Sequence, residues 1–176
     1  SIILISSVAL AKPARASSPV VHAVAGDLIG AWAARHASEW APVVALVAGF
    51  ASHPVLDTVD HDYTPDWTAW SMDRKRLVND APYLLVQAAG LLALVLAVAE
   101  EPDPNARMAR IAGMVGALLA DWIEAPHALR DPETWRRGDH ALPWHRAGPR
   151  PRRDQPWHVT AAISMAAVSF RLSVTF

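Results

Sequence analysis

Residues 81–99 form a run of nineteen without a single charge, and this run limits the folds open to the chain more than any other feature. Its length and composition suit a helix crossing the hydrocarbon core of a bilayer. Lipid offers no partner to a backbone N–H or C=O, so spanning segments are helices or closed barrels. Further apolar stretches, 19–37, 42–59, 106–125 and 156–174, read as four more helices with Pro19, Pro42 and Pro156 in their first turns. The expected architecture is all-α, an integral membrane bundle of about five helices in one domain, 1–176. Residues 1–18 read as an N-terminal appendage. Its apolar part, 2–11, is too short to span a bilayer, lacks a basic segment before it, and is compatible with a signal-peptide remnant. Residues 126–155 read as an Arg/Pro-rich loop.

The basic residues orient such a bundle. With five spans, Lys12, Arg15, Arg74, Lys75, Arg76 and the seven arginines from Arg130 to Arg153 fall on one side. Arg35, Arg107, Arg110 and Arg171 fall on the other. Twelve against four makes the first side cytoplasmic. Trp67, Trp70, Trp122 and Trp157 then gather near one interface, as aromatic belts do.

Polar residues mark the cytoplasmic ends of three of these helices. The uncharged run 42–50 leads into His53, Asp57, Asp60, His61 and Asp62. His53, Asp57 and His61 follow at steps of four and so share a helix face, with a kink expected at Pro54. Stripes of small residues at the same step end in polar groups: Gly30–Gly26–His22, Ala45–Gly49–His53–Asp57 and Gly113–Ala117–Asp121. Small residues let helix backbones approach closely. The three stripes are therefore expected to face one another, bringing His22, His53, Asp57 and Asp121 to one mouth. Imidazole and carboxylate converging in an apolar bundle suit a divalent metal ion, zinc in the first instance. The ligand candidates are His22, His53, Asp57, His61 and Asp121. If the metal is catalytic, Asp62 or Asp60 is the candidate general base for an activated water. Asp60 and Asp62 serve equally well as helix caps. Asp27 reads as a loop-facing or supporting group, Glu124 as a ligand or an interfacial charge, and His127, His140 and His145 as loop residues.

A net charge of −1 gives no basic footprint for nucleic acid. The absence of cysteine excludes disulfides and thiolate metal sites. Membrane lipid is the expected partner, with anionic head groups contacting the Arg-rich loop.

The segments HAVAGDLIG, SHPVLDTVDHDYTP and GALLADWIE together resemble small bacterial inner-membrane proteins described as membrane-bound metal-dependent hydrolase-like. The resemblance covers roughly 22–124. It implies a multi-pass protein of the bacterial inner membrane, with His22, His53, Asp57 and His61 as functional positions and Asp121 as a further one. Such families commonly have Pro-Asp at the last place, where this chain has Ala120-Asp121. The implied activity is hydrolysis of a phosphoester or lipid-related substrate. The alternative is a non-catalytic membrane scaffold, or a transporter-like protein whose polar cluster is structural or relays protons or ions.

Overall fold

The computed structural model describes residues 18–57, 74–130, 141–142 and 157–174. Five α-helices occupy them: α1 Pro19–His36, α2 Ala41–Leu56, α3 Arg74–Ala99, α4 Pro104–Arg130 and α5 Trp157–Ser173, with a 3₁₀ turn Ser38–Trp40 between the first two. No strand occurs among the described residues. His61, Asp60 and Asp62 lie outside the described residues, as do His140, His145, Trp67, Trp70 and all of the appendage but Ser18.

Two helices depart from their expected bounds. Helix α3 begins at Arg74, so the basic triplet belongs to its first turn instead of a loop. Helix α4 runs through Pro126 to Arg130, where the sequence suggested a stop. A proline inside a helix forfeits one backbone donor, and near a terminus little of the helix remains to be disrupted.

Helices α1, α2 and α4 form the tight half of the bundle, and α3 pairs with α5 before meeting α1. Close approach explains the tight half. A Cβ placed on Gly26 would run into the Gly113 backbone, and one on Gly113 into the carbonyl of Gly26. Gly49 stands equally close to Gly113 and Gly116 to Leu46. The stripes read from the sequence are therefore the contact faces. Neutral hydrogen bonds join the looser half to the start of α1. Ser18 Oγ donates to Gln87 Oε1 at 2.8 Å, and Gln87 Nε2 donates to Ser164 Oγ at 2.9 Å. At the far end Asn105 Nδ2 donates to the carbonyl of Ser38, which lies in the left-handed region with φ 46°.

Ionisable and polar groups share the interior with the apolar core clusters. His22, Asp27, His53, Asp57, Gln87, Arg110, Glu124 and Arg171 are buried. Large apolar side chains are also exposed: Leu85 at 70%, Val55 at 65% and Trp40 at 63%, with Val47, Leu92, Leu96 and Phe170 alongside. Lipid accepts such side chains readily, and singly they also occur on soluble proteins. Two segments, Ser38–Leu56 and Ala81–Ala99, are long and apolar enough to cross a membrane, and 22% and 28% of their lengths are buried. Val159–Ser173 is apolar but shorter. Helices α1 and α4 carry buried charge and are not among the two long segments, so five spans are more than the composition of the described helices supports. Trp122 is exposed near the polar end, and Trp32 and Trp40 near the other, a second aromatic group the sequence reading passed over.

Candidate metal centre

His22 is one turn into α1, His53 lies in the last turn of α2, and Asp57 is the residue that closes α2. The Asp57 N–H donates to the His53 carbonyl at 3.0 Å, continuing helical geometry for one more residue. That geometry puts the side chains of 53 and 57 on one face. His22 Nε2 stands 3.3 Å from Asp57 Oδ1, and His53 Nε2 stands 3.4 Å from Asp57 Oδ2. The two imidazoles stack with centroids 4.1 Å apart and planes inclined by 29°. Asp121, from α4, joins at the rim with Oδ1 3.5 Å from His53 Nε2 and its side chain 26% exposed.

Two hydrogen bonds fix the frame around the cluster. His53 Nδ1 lies 2.7 Å from the carbonyl of Ala117. A carbonyl can only accept, so Nδ1 carries the proton in that bond and Nε2 is the atom turned to Asp57 and Asp121. Metal-binding histidines commonly have this arrangement, with one nitrogen anchored by an acceptor and the other aimed at the site. Ala117 belongs to the small-residue stripe of α4, so the close packing that orients His53 also supplies its anchor. Glu124, one turn beyond Asp121, is buried and accepts from the Leu142 N–H at 2.7 Å. It therefore holds a piece of the loop after α4 near the polar end.

His22, His53 and Asp57 each offer a ligand atom within 4.8 Å of the other two, and all three are buried. They form a group able to hold a metal ion. The donors are two imidazole nitrogens and a carboxylate oxygen, a set that divalent transition metals accept. The convergence of His22, His53, Asp57 and Asp121 is as the stripes predicted. The structure does not bring in Asp27. His127 lies in α4 beyond Pro126.

Asp27 belongs to a second polar centre that the sequence reading missed. Its carboxylate is fully buried in α1. Arg110 of α4 donates to it through Nε at 2.6 Å and Nη2 at 3.3 Å, and Arg171 of α5 donates to it through Nε. Arg110 also reaches Glu101 Oε2 at 3.1 Å. Arg110 and Arg171 are thus interior partners of Asp27. The available signal was one acidic and two basic residues inside apolar helices, since such residues usually pair with each other. No family model, curated protein or solved structure matches this chain.

Proposed function

We propose that this is a multi-pass membrane protein holding a divalent metal ion on His22, His53 and Asp57, and that the metal serves a hydrolase acting on a phosphoester or lipid-related substrate. The observation that carries the metal reading is the orientation of His53: one ring nitrogen is anchored on Ala117, and the other is turned to two carboxylates beside a second imidazole. Two histidines and one acid are the ligand pattern of catalytic zinc, which leaves a coordination position for water or substrate. When bound, such an ion lowers the pKa of its water and polarises a phosphoryl oxygen. Around it, the buried imidazoles fix the position of Asp57, and Asp121 stands at the rim where a proton acceptor is required. Close helix packing keeps bulk water from the inner side of the cluster. The exposed large apolar side chains and the two apolar segments support the membrane reading, and the charge asymmetry supports a cytoplasmic mouth. A bacterial inner-membrane location follows from the sequence resemblance.

Elemental analysis of detergent-purified protein tests this directly. We expect about one equivalent of divalent metal per chain, lost in His53→Ala and in Asp57→Ala. Phosphodiester turnover should vanish with the metal, and Asp121→Asn should cut turnover with most of the metal retained. Equal metal content in all four proteins would end the metal reading. Metal without turnover on any phosphoester would leave the closed, structural or relay site as the function.

A further inference from the structure

A second site lies between α3 and α4. The two helices are joined by a short turn yet touch little along their lengths, and a cavity of about 430 Å³ opens between them. That volume is within the range of about 300–1,000 Å³ common to small-molecule sites. Ala23 and Met114 contribute to its lining, Leu91, Val95 and Val98 line the α3 side, and Arg107 is its one charged lining residue. From Arg107 to Leu118 the α4 wall rises about 16 Å.

The ends of this slot differ. At the Leu91 and Leu118 end the lining is apolar. At the other end Arg107 donates through Nε and Nη2 to the carbonyl of Glu101, a neutral acceptor that leaves the guanidinium charge uncompensated. Glu100 is exposed next to Ala99, which lines the same end. A cation at the mouth of an apolar slot, with an exposed carboxylate one residue along the chain from its lining, complements a zwitterion carrying a chain. A second helix would bury Arg107 against apolar side chains, whereas a lipid phosphate would pair with it. Two residues of the lining, Val95 and Ile111, are themselves exposed at 53% and 37%, so the slot is open to the surroundings from which a lipid would enter.

We infer that this slot holds one acyl chain of an amine-bearing zwitterionic phospholipid, with its phosphate on Arg107 and its ammonium beside Glu100. The inference rests on the membrane reading but not on the metal. Delipidated protein in detergent is mixed with equal amounts of phosphatidylethanolamine, phosphatidylglycerol and phosphatidylcholine of identical chains, and bound lipid is read by native mass spectrometry. One lipid should be retained, the ethanolamine form favoured about tenfold over choline, which cannot donate a hydrogen bond to a carboxylate. Arg107→Gln should weaken retention about tenfold. Glu100→Gln should erase the preference for ethanolamine, and Val115→Trp should fill the slot and exclude all three lipids. Arg107→Gln alters a partly exposed side chain, so it reports on the head group even if Val115→Trp does not fold. No retained lipid, indifference to Val115→Trp, or preference for the glycerol head group would overturn the assignment. Protein recovered from the soluble fraction without detergent would instead overturn the membrane reading beneath it.

Discussion

The bundle contains two ionic centres, and their donors differ in kind. At the Asp27 centre, carboxylates meet guanidinium groups: Asp27 with Arg110 and Arg171, and Arg110 again with Glu101. At the other, carboxylates meet imidazoles: Asp57 with His22 and His53, and His53 with Asp121. Guanidinium keeps its charge at any ordinary pH and carries no lone pair for a metal, so the Asp27 centre is a neutral, self-contained lock. Imidazole can ligate. The same expense of burying a carboxylate is therefore met in two ways, by permanent cations in one place and by metal-type ligands in the other. The first centre is built as a closed ion-pair network, and the second as a group able to hold a metal ion.

Breaking the lock should have the largest effect. Asp27→Ala leaves two guanidinium groups buried without their shared carboxylate, and removing one partner of a buried pair costs about 3–5 kcal/mol. Thermal unfolding in detergent should show this loss, while the metal content of the protein that remains folded stays at the wild-type level. Replacing Asp27, Arg110 and Arg171 together by Leu, Met and Met should recover most of the stability, because a buried ion pair often stabilises no more than a well-packed apolar set. A metal content that fell with Asp27→Ala in folded protein would merge the two centres into one functional unit.

The next largest effect separates the centres by ligand. Zinc at a hundredfold excess over its dissociation constant should stabilise the wild-type protein by about 2.7 kcal/mol. His53→Ala should abolish that gain and the Asp27 variant should keep it. A zinc response surviving in His53→Ala would move the metal elsewhere in the chain.

Packing links the two centres, since Gly113 lies between α1 and α2. Gly113→Ala should cost about 1–3 kcal/mol through overpacking against the Gly26 backbone. It should also weaken zinc binding, since α4 presents both Ala117 and Asp121 to His53 from the next turns. Unchanged zinc affinity at reduced stability would show that the cluster tolerates a wider helix spacing.

These outcomes also mark how far the residues could be read in advance. The stripe Gly30–Gly26–His22 and its two counterparts were legible because small residues at steps of four have one structural use in lipid, and the convergence of their polar ends follows from helix geometry. The Asp27 lock was not legible, because Arg171 lies 144 residues away and no periodicity relates the two. Counting Arg110 and Arg171 only toward the charge on one side of the bundle hid them further. The extension of α3 back to Arg74 was missed because a basic triplet resembles a loop in isolation. Likewise, Pro126 reads as a stop although a helix end tolerates it. His61 was read from the same spacing as His53 and Asp57, and Asp60 and Asp62 as neighbouring carboxylates, but all three lie outside the described residues.

The smallest expected effect belongs to a third polar cluster that contains no ionised group, and it calibrates the other two. Gln87 Oε1 accepts from Ser18 Oγ and, at 3.3 Å, from the Val20 N–H, while Nε2 donates to Ser164. The Val20 N–H is one of the donors that the start of a helix leaves without an intrahelical acceptor, so Gln87 acts as a cap supplied from a neighbouring helix. Gln87→Leu keeps the apolar contacts of α3 and removes all three bonds. Hydrogen bonds between membrane helices average only about 0.6 kcal/mol each, so the loss should be about 1–2 kcal/mol in all. Zinc binding should be unchanged, because the cluster joins α3 and α5 to the first turn of α1 without touching α2 or α4. A melting shift as large as that of Asp27→Ala would mean that the start of α1 depends on this cap as strongly as its middle depends on charge. The contrast between ionic and neutral centres would then rest on position along α1 and not on the chemistry of the groups.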